Sequence, residues 1–294
     1  MNILTFDIEE WALESHRQGG ERPGKIAEYD RMLNQLMELL SKQHLHATCF
    51  CTGKMAEEYP HIIKSIAGYG HEIACHSHVH TWCNKMSYKQ MQEDTHAAVD
   101  AIEQCIGRKV KGYRAPAFSI TENNLYAFEI LAQNGIEYDA SVFPAKRDFG
   151  GFPSFGYDVP TVIRYNDIQI KEYPIPLLHI GSWKTAYSGG GYFRLFPYYI
   201  IQRTMNKSKY AMTYFHLNDL ISEPKKLMSR EAYESYFKEN GTLINRFKRF
   251  IKSNIGTGDA MGKLIKLIQE NDFINIETAD KMIDWDKAPV VNFS

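Results

Sequence analysis

The chain lacks an excess of either charge, a long apolar run and a paired cysteine framework, and each absence removes a class of function. Its 34 Lys+Arg against 35 Asp+Glu leave a formal net charge of −1. That balance argues against a protein that holds nucleic acid, or an anionic membrane, by bulk charge. No window approaches the ~18 consecutive apolar residues of a membrane-spanning helix. The cysteines (Cys49, Cys51, Cys75, Cys83, Cys105) are odd in number, and Cys49-Phe50-Cys51 is too tightly spaced for a zinc knuckle. They read as reduced, buried small hydrophobes. The opening Met1-Asn2-Ile3-Leu4-Thr5-Phe6-Asp7 has neither the basic start nor the apolar stretch of a secretory leader, so a cytoplasmic location is expected. Internal repeats and low-complexity segments are missing too.

What is present is alternation. Strand-like runs at Ile3–Phe6, Ala47–Cys51, His71–Cys75, Val110–Tyr113 and Ile136–Asp139 are separated by helical patterns over Ile26–Leu40, Met55–Ala67, Ser87–Ile106 and Asn123–Gln133. Ser87 and Gln90 have the spacing of a capping box. After Phe143 the rhythm breaks: residues 144–195 are rich in Pro and Gly, with strand-like Thr161–Tyr165 and Ile168–Tyr173, and read as an inserted loop and hairpin region. A strand-like run at Ala211–Phe215 follows, then helical stretches over Glu231–Glu239, Thr242–Lys252 and Ala260–Glu270, and a last strand-like run at Phe273–Ile276. Repeated strand-then-helix units predict an α/β fold on a parallel sheet, open or closed, within a single domain spanning residues 1–294.

The polar residues that carry chemistry fall at the ends of these strands. Asp7, Glu9 and Glu10 close the first, His76, His78 and His80 follow the third, Arg114 the fourth, Asp139 ends the fifth, and His216 follows the strand beginning at Ala211. Active sites of parallel α/β folds lie at the C-terminal strand ends, so one shared mouth is expected to hold them. His76 and His80 are four residues apart, and one helical turn would put both imidazoles on one side. Two histidines and a carboxylate leave an open position on a metal, the catalytic arrangement. The same ligand set also suits a non-haem iron oxygenase, although strand–helix alternation disfavours that class. The 13% aromatic content, with 18 Tyr and 16 Phe, supplies core and stacking surfaces, Trp11, Trp82, Trp183 and Tyr192 among the candidates for sugar faces. Gly189-Gly190-Gly191 reads as a loop that approaches substrate closely. Arg194 suits an anionic group or an ordinary ion pair. His78 and His179 read as surface or structural residues.

Phe6-Asp7-Ile8-Glu9-Glu10-Trp11, Gly70 to His80, Gly112-Tyr113-Arg114-Ala115-Pro116-Ala117-Phe118-Ser119 and Tyr214-Phe215-His216 resemble, in order, the motifs of the polysaccharide deacetylase (NodB-homology, carbohydrate esterase family four) family. Tyr138 to Pro144 and Gly189 to Leu195 resemble runs of its subgroup found with exopolysaccharide and O-antigen loci. The resemblance implies a distorted (β/α) barrel of about seven parallel strands and a divalent metal, commonly Zn²⁺, with Co²⁺, Ni²⁺ or Fe²⁺ as alternatives. It implies Asp7 as catalytic base, Arg114 as the arginine orienting it and His216 as general acid. His76 and His80 match the metal histidines, with Glu9, or alternatively Glu10, as third ligand. Trp11, Tyr113, Asp139, Tyr192 and Arg194 are the candidate substrate contacts. The implied reaction is removal of an N-acetyl group from an amino sugar, free in an oligosaccharide or linked to a nucleotide or lipid, in cell-surface polysaccharide or glycoconjugate synthesis. No nucleic-acid partner is expected. A non-sugar cyclic amide substrate and a catalytically silent glycan-binding protein are the rival readings.

Overall fold

Period-two alternation along the first strands decides which side chains reach the site, so the sheet is described first. In the computed structural model, which describes residues 1–17, 20–147, 150–181, 183–221, 226–237 and 239–293, the strands are β1 (Asn2–Ile3), β2 (Thr5–Ile8), β3 (Thr48–Cys51), β4 (Glu72–Cys75), β5 (Gly112–Tyr113), β6 (Tyr138–Asp139), β7 (Thr161–Tyr165), β8 (Ile168–Glu172), β9 (Leu177–Ile180), β10 (Trp183–Ala186), β11 (Ala211–Met212), β12 (Phe215–His216) and β13 (Val290–Phe293). The main sheet runs β12-β2-β3-β4-β5-β6-β8-β7-β13. Every neighbouring pair from β12 to β8 is parallel, which makes seven parallel strands. β7 returns antiparallel to β8, and β13 adds parallel to β7. β1 and β11 pair with each other just ahead of β2 and β12.

The expected α/β architecture on a mostly parallel sheet is what the chain forms. No ladder among the described residues closes the sheet into a barrel; the seam between β8 and β11 is crossed instead by Tyr210 Oη, which donates to the Pro174 carbonyl at 2.8 Å. Two cores follow from the alternation. Phe6, Ile8, Cys49, Cys51, Ile73, Cys75 and Tyr113 face outward under the helices Pro23–Lys42, Gly53–Glu58, Pro60–Gly68, Tyr88–Ile106 and Tyr126–Gln133. Ile3, Phe50, Ala74, Tyr138, Ala140, Tyr173 and Met212 fill the concave side. The capping box forms: Ser87 Oγ accepts from Gln90 N and Gln90 Oε1 from Ser87 N. All five cysteines are free, four of them buried and Cys105 half-buried.

Local differences from the sequence expectation have local causes. The single helix expected over Met55–Ala67 is two, because Pro60 lacks the N–H that would continue the first. The hairpin β7–β8 is not an insertion beside the sheet but part of it, and of the described strands in that region β9–β10 stands apart. The Ala211–Phe215 run splits in two where Thr213 turns its Oγ1 to accept from Thr5 N. Phe273–Ile276 forms a lone bridge, Ile3 to Ile274, before Asn275 caps the helix Ile276–Met282.

His71, just before β4, gives the fold a pH dependence remote from the site. Its Nδ1 accepts from Ala47 N at 3.1 Å, and burial, helped by neighbouring His46, pushes its pKa down from 6.5 to about 4. The folded state therefore refuses a proton that the unfolded chain takes up. Stability is full above pH 6.5 and falls as pH drops toward 4, by roughly 2–3 kcal/mol. Urea midpoints measured from pH 7 to 4 are expected to slope less in His71→Asn, which keeps an acceptor but cannot charge.

Candidate active site

Asp7 sits within β2 and Glu9 just after it, two residues apart and so on the same, concave side. His216 of β12 pairs in register with Asp7, while His76 and Arg114 extend β4 and β5 by one residue, their amides bonded to Cys51 O and Cys75 O. Arg114 is fully buried. Its Nη1 donates to Asp7 Oδ1 and to Thr5 Oγ1, each at 2.8 Å, its Nε donates to Ala140 O, and its guanidinium lies 4.1 Å over the Phe50 ring. Burial alone would raise the Asp7 pKa, but Arg114, with His76 and His216, outweighs it and holds the carboxyl below its ordinary range.

Glu9, His76 and His80 bring one donor atom each to within 4.8 Å of one another. Glu9 Oε2 is 2.6 Å from His80 Nε2 and 3.4 Å from His76 Nε2. His76 Nδ1 lies 2.7 Å from the Arg114 carbonyl, which can only accept, so Nδ1 carries the proton and Nε2 presents its lone pair to the cluster. That Nε2 is buried with no hydrogen-bond partner. Two imidazoles and a carboxylate, one nitrogen orphaned, fit a divalent cation such as Zn²⁺. The histidines do not converge through a helical turn as the spacing suggested. They lie on an irregular loop in which Ser77 and His80 take positive φ, and His80 N donates to Ser77 Oγ. His78, between them, packs instead on Gly53 and lies 3.6 Å from Glu57. Glu10 stands apart from the cluster: it accepts from Asn218 N, and burial, reinforced by Glu9, raises its pKa to about 7.

His216 faces Asp7 Oδ2 and Glu9 Oε1, each at 3.6 Å from its Nε2, while its Nδ1 meets Asp219 Oδ2 at 3.1 Å. Burial works to lower its pKa, but Asp219, Glu9 and Asp7 together raise it to about 10, so the ring is charged at neutral pH. Asp219 is itself gripped by Arg194 Nη1 at 2.7 Å. Asp219 escaped the sequence reading although it lies three residues beyond His216, the reach of a short helical turn.

Asp7, Glu9, Glu10, His80 and His216 floor a cavity of about 960 Å³, with His76 and Arg114 buried beneath them, and its walls include Trp82, Ala117, Arg147, Tyr192, Tyr214, Phe237 and Arg249. Tyr192 and Arg194 line it as expected, although Arg194 spends its charge on Asp219. Gly190 and Gly191 border it at the start of the helix Gly190–Leu195, whereas Gly189 presses on the Tyr214 backbone so closely that an added Cβ would meet its oxygen at 2.0 Å. Three expected contacts do not reach it. Trp11 is buried against Tyr29 with its Nε1 donating to Asp30. Tyr113 and Asp139 stand one residue away from inward-facing Arg114 and Ala140, and alternation turns them to the outer layer. There Tyr113 Oη meets Cys83 Sγ, and Asp139 accepts from Ser141 beside a Glu172 whose pKa burial and Asp139 raise well above the ordinary range. His179 is exposed and bonds Asp158. The side chain of Trp183 lies outside the described residues. Phe237 and Arg249, from segments the sequence reading left without a role, complete the wall.

Residues 3–138 match the sequence model of the polysaccharide deacetylase family, and residues 140–281 match that of a domain of unknown function, DUF3473. The chain is 33% identical over 146 residues to a peptidoglycan deacetylase of Helicobacter pylori, a match covering 49% of this chain and 47% of that protein. It is 29% identical over 91 residues to a peptidoglycan-N-acetylglucosamine deacetylase of Bacillus cereus, covering 31% and 33%. The matched stretches thus span under half the length of these relatives. A crystal structure from Mycobacterium smegmatis, assigned as a polysaccharide deacetylase, superposes with a TM-score of 0.62 at 17% identity, covering 100% of this chain and 93% of that one. That last likeness is one of fold.

Proposed function

We propose, from the match of residues 3–138 to the polysaccharide deacetylase family model, that the protein is a metal-dependent hydrolase that removes the N-acetyl group of an amino sugar. The observation that carries the reading is the joint placement of Asp7, Arg114 and His216 beside the Glu9–His76–His80 cluster at the base of one cavity. Glu9, His76 and His80 would hold a divalent ion, Zn²⁺ being the best match, which when bound would supply Lewis acidity for the carbonyl and a water of lowered pKa. Asp7, ionised and aimed by Arg114, takes the proton of the attacking water. His216, charged and oriented by Asp219, delivers a proton to the sugar nitrogen as the C–N bond breaks and acetate leaves. Of the alanines bordering the cavity beside Arg114, Ala115 already donates its N–H to Ser141 Oγ, which leaves Ala117 to offer a backbone donor to the developing oxyanion. Trp82, Tyr192 and Tyr214 provide aromatic faces for the sugar. The substrate class that fits is an acetylated amino sugar of a cell-surface polysaccharide or glycoconjugate, linked to a nucleotide or lipid or within an oligosaccharide.

Metal analysis of the purified protein tests the reading. About one zinc or other divalent ion per chain is expected, lost in the His76→Ala/His80→Ala variant, with acetate released from N-acetylhexosamine derivatives by the loaded protein alone. Absence of metal after incubation with zinc or cobalt would overturn it.

A further inference from the structure

The helix Leu243–Asn254 is amphipathic in the reverse sense of its neighbours. Two of its basic residues turn inward: Arg246 Nη1 donates to Met228 O, and Arg249 lies 4.4 Å over the Phe237 ring in the cavity wall. Its apolar residues turn outward. Leu243, Ile244, Phe247 and Ile251 are 63%, 67%, 52% and 40% exposed, and Ile255 at the C-cap is 40% exposed. At about 100° per residue these five fall in an arc of roughly 120°, with exposed Lys248 at its edge. The strip continues past the helix, since Ile255 and Leu195, itself 55% exposed, both border the cavity mouth. Gly256, with φ +67°, seats this end of the helix against the Arg194 carbonyl. From residue 241 to 254 the sequence carries Arg246, Lys248, Arg249 and Lys252 and no acid, whereas the rest of the chain is net acidic.

We propose that this strip docks the protein on an anionic lipid surface, with the helix lying along the headgroup–acyl boundary and the cavity mouth beside it. Apolar side chains edged by exposed Lys248 match that boundary: the acyl edge takes the former and anionic headgroups attract the lysine, while Arg246 and Arg249 stay turned toward the protein. No helix among the described residues is long and apolar enough to cross a membrane, so attachment through this strip is peripheral. A net charge of −1 gives no bulk attraction to such a surface, which makes the docking local to the strip. The inference does not depend on what the active site hydrolyses.

The test is co-flotation of the full chain with vesicles of phosphatidylcholine alone and of phosphatidylcholine mixed with phosphatidylglycerol. The protein is expected to float with the mixed vesicles, less with the neutral ones and less at high salt. Phe247→Glu/Ile251→Glu should lower partitioning roughly tenfold or more, and Lys248→Glu several-fold, with melting curves unchanged because all three side chains are exposed. No flotation with either vesicle, or flotation equal in the double variant, would overturn the proposal. So would a concentration-dependent dimer that the double variant dissolves and that binds no lipid, which would make the strip an interface between copies of the chain.

Discussion

Replacing Asp7 by asparagine is expected to lower acetate release by about 10²–10⁴-fold while leaving the metal in place. Asparagine has the size of aspartate and keeps an oxygen to accept from Arg114 Nη1, so the pocket floor should hold its shape. What disappears is the basic site. Arg114 and two histidines stabilise the ionised carboxyl against its burial, and a neutral amide cannot collect the proton of an attacking water. Glu9, His76 and His80 are untouched, so metal content should match the parent. Steady-state assay beside metal analysis separates the two roles, and loss of metal in the variant would mean that Asp7 belongs to the binding cluster.

Arg114→Met should be the most destabilising single change in the site, at about 3–5 kcal/mol. Arg114 is fully buried and satisfies Asp7, Thr5 Oγ1 and Ala140 O at once. Methionine fills similar volume but leaves a buried carboxylate and two oxygens without their donor. Urea unfolding of the parent, Arg114→Met, Asp7→Asn and the double variant closes a cycle. The double variant should cost clearly less than the sum of the singles, because the stranded charge is gone. It should still lack activity.

Much of this site was legible in the sequence because parallel strands deliver their ends to one place. Asp7, His76, Arg114 and His216 needed no more than strand boundaries and the rule about C-terminal ends. Local spacing was a poorer guide where the backbone is irregular. His76 and His80 meet through two left-handed residues in a loop, which i,i+4 spacing alone does not announce. Tyr113 and Asp139 were misplaced for a reason the sequence did contain: each is adjacent to an inward-facing position, so period two sends it outward. The cavity walls were the least readable part. Phe237 and Arg249 come from helices far along the chain, and only tertiary packing brings them over the floor. The β13 strand, whose Phe293 stacks on Phe152 and Phe128, is four residues of weak pattern that gain meaning only from the sheet edge they complete.

The cavity is assembled from two stretches of chain with different tasks. Asp7, Glu9 and His80, with His76 and Arg114 buried beneath them, come from the stretch before residue 139 together with Trp82 and Ala117 of the wall, whereas Tyr192, Arg194, Tyr214, Phe237 and Arg249 come from the stretch after it, with His216 the one reacting group they share a segment with. Selection can therefore rework the later stretch as a mould, widening or recharging it for another glycan, while the earlier stretch goes on breaking the same kind of bond. His216, rooted in the mould yet paired in register with Asp7, is the peg that keeps each new shape aligned with the old reaction.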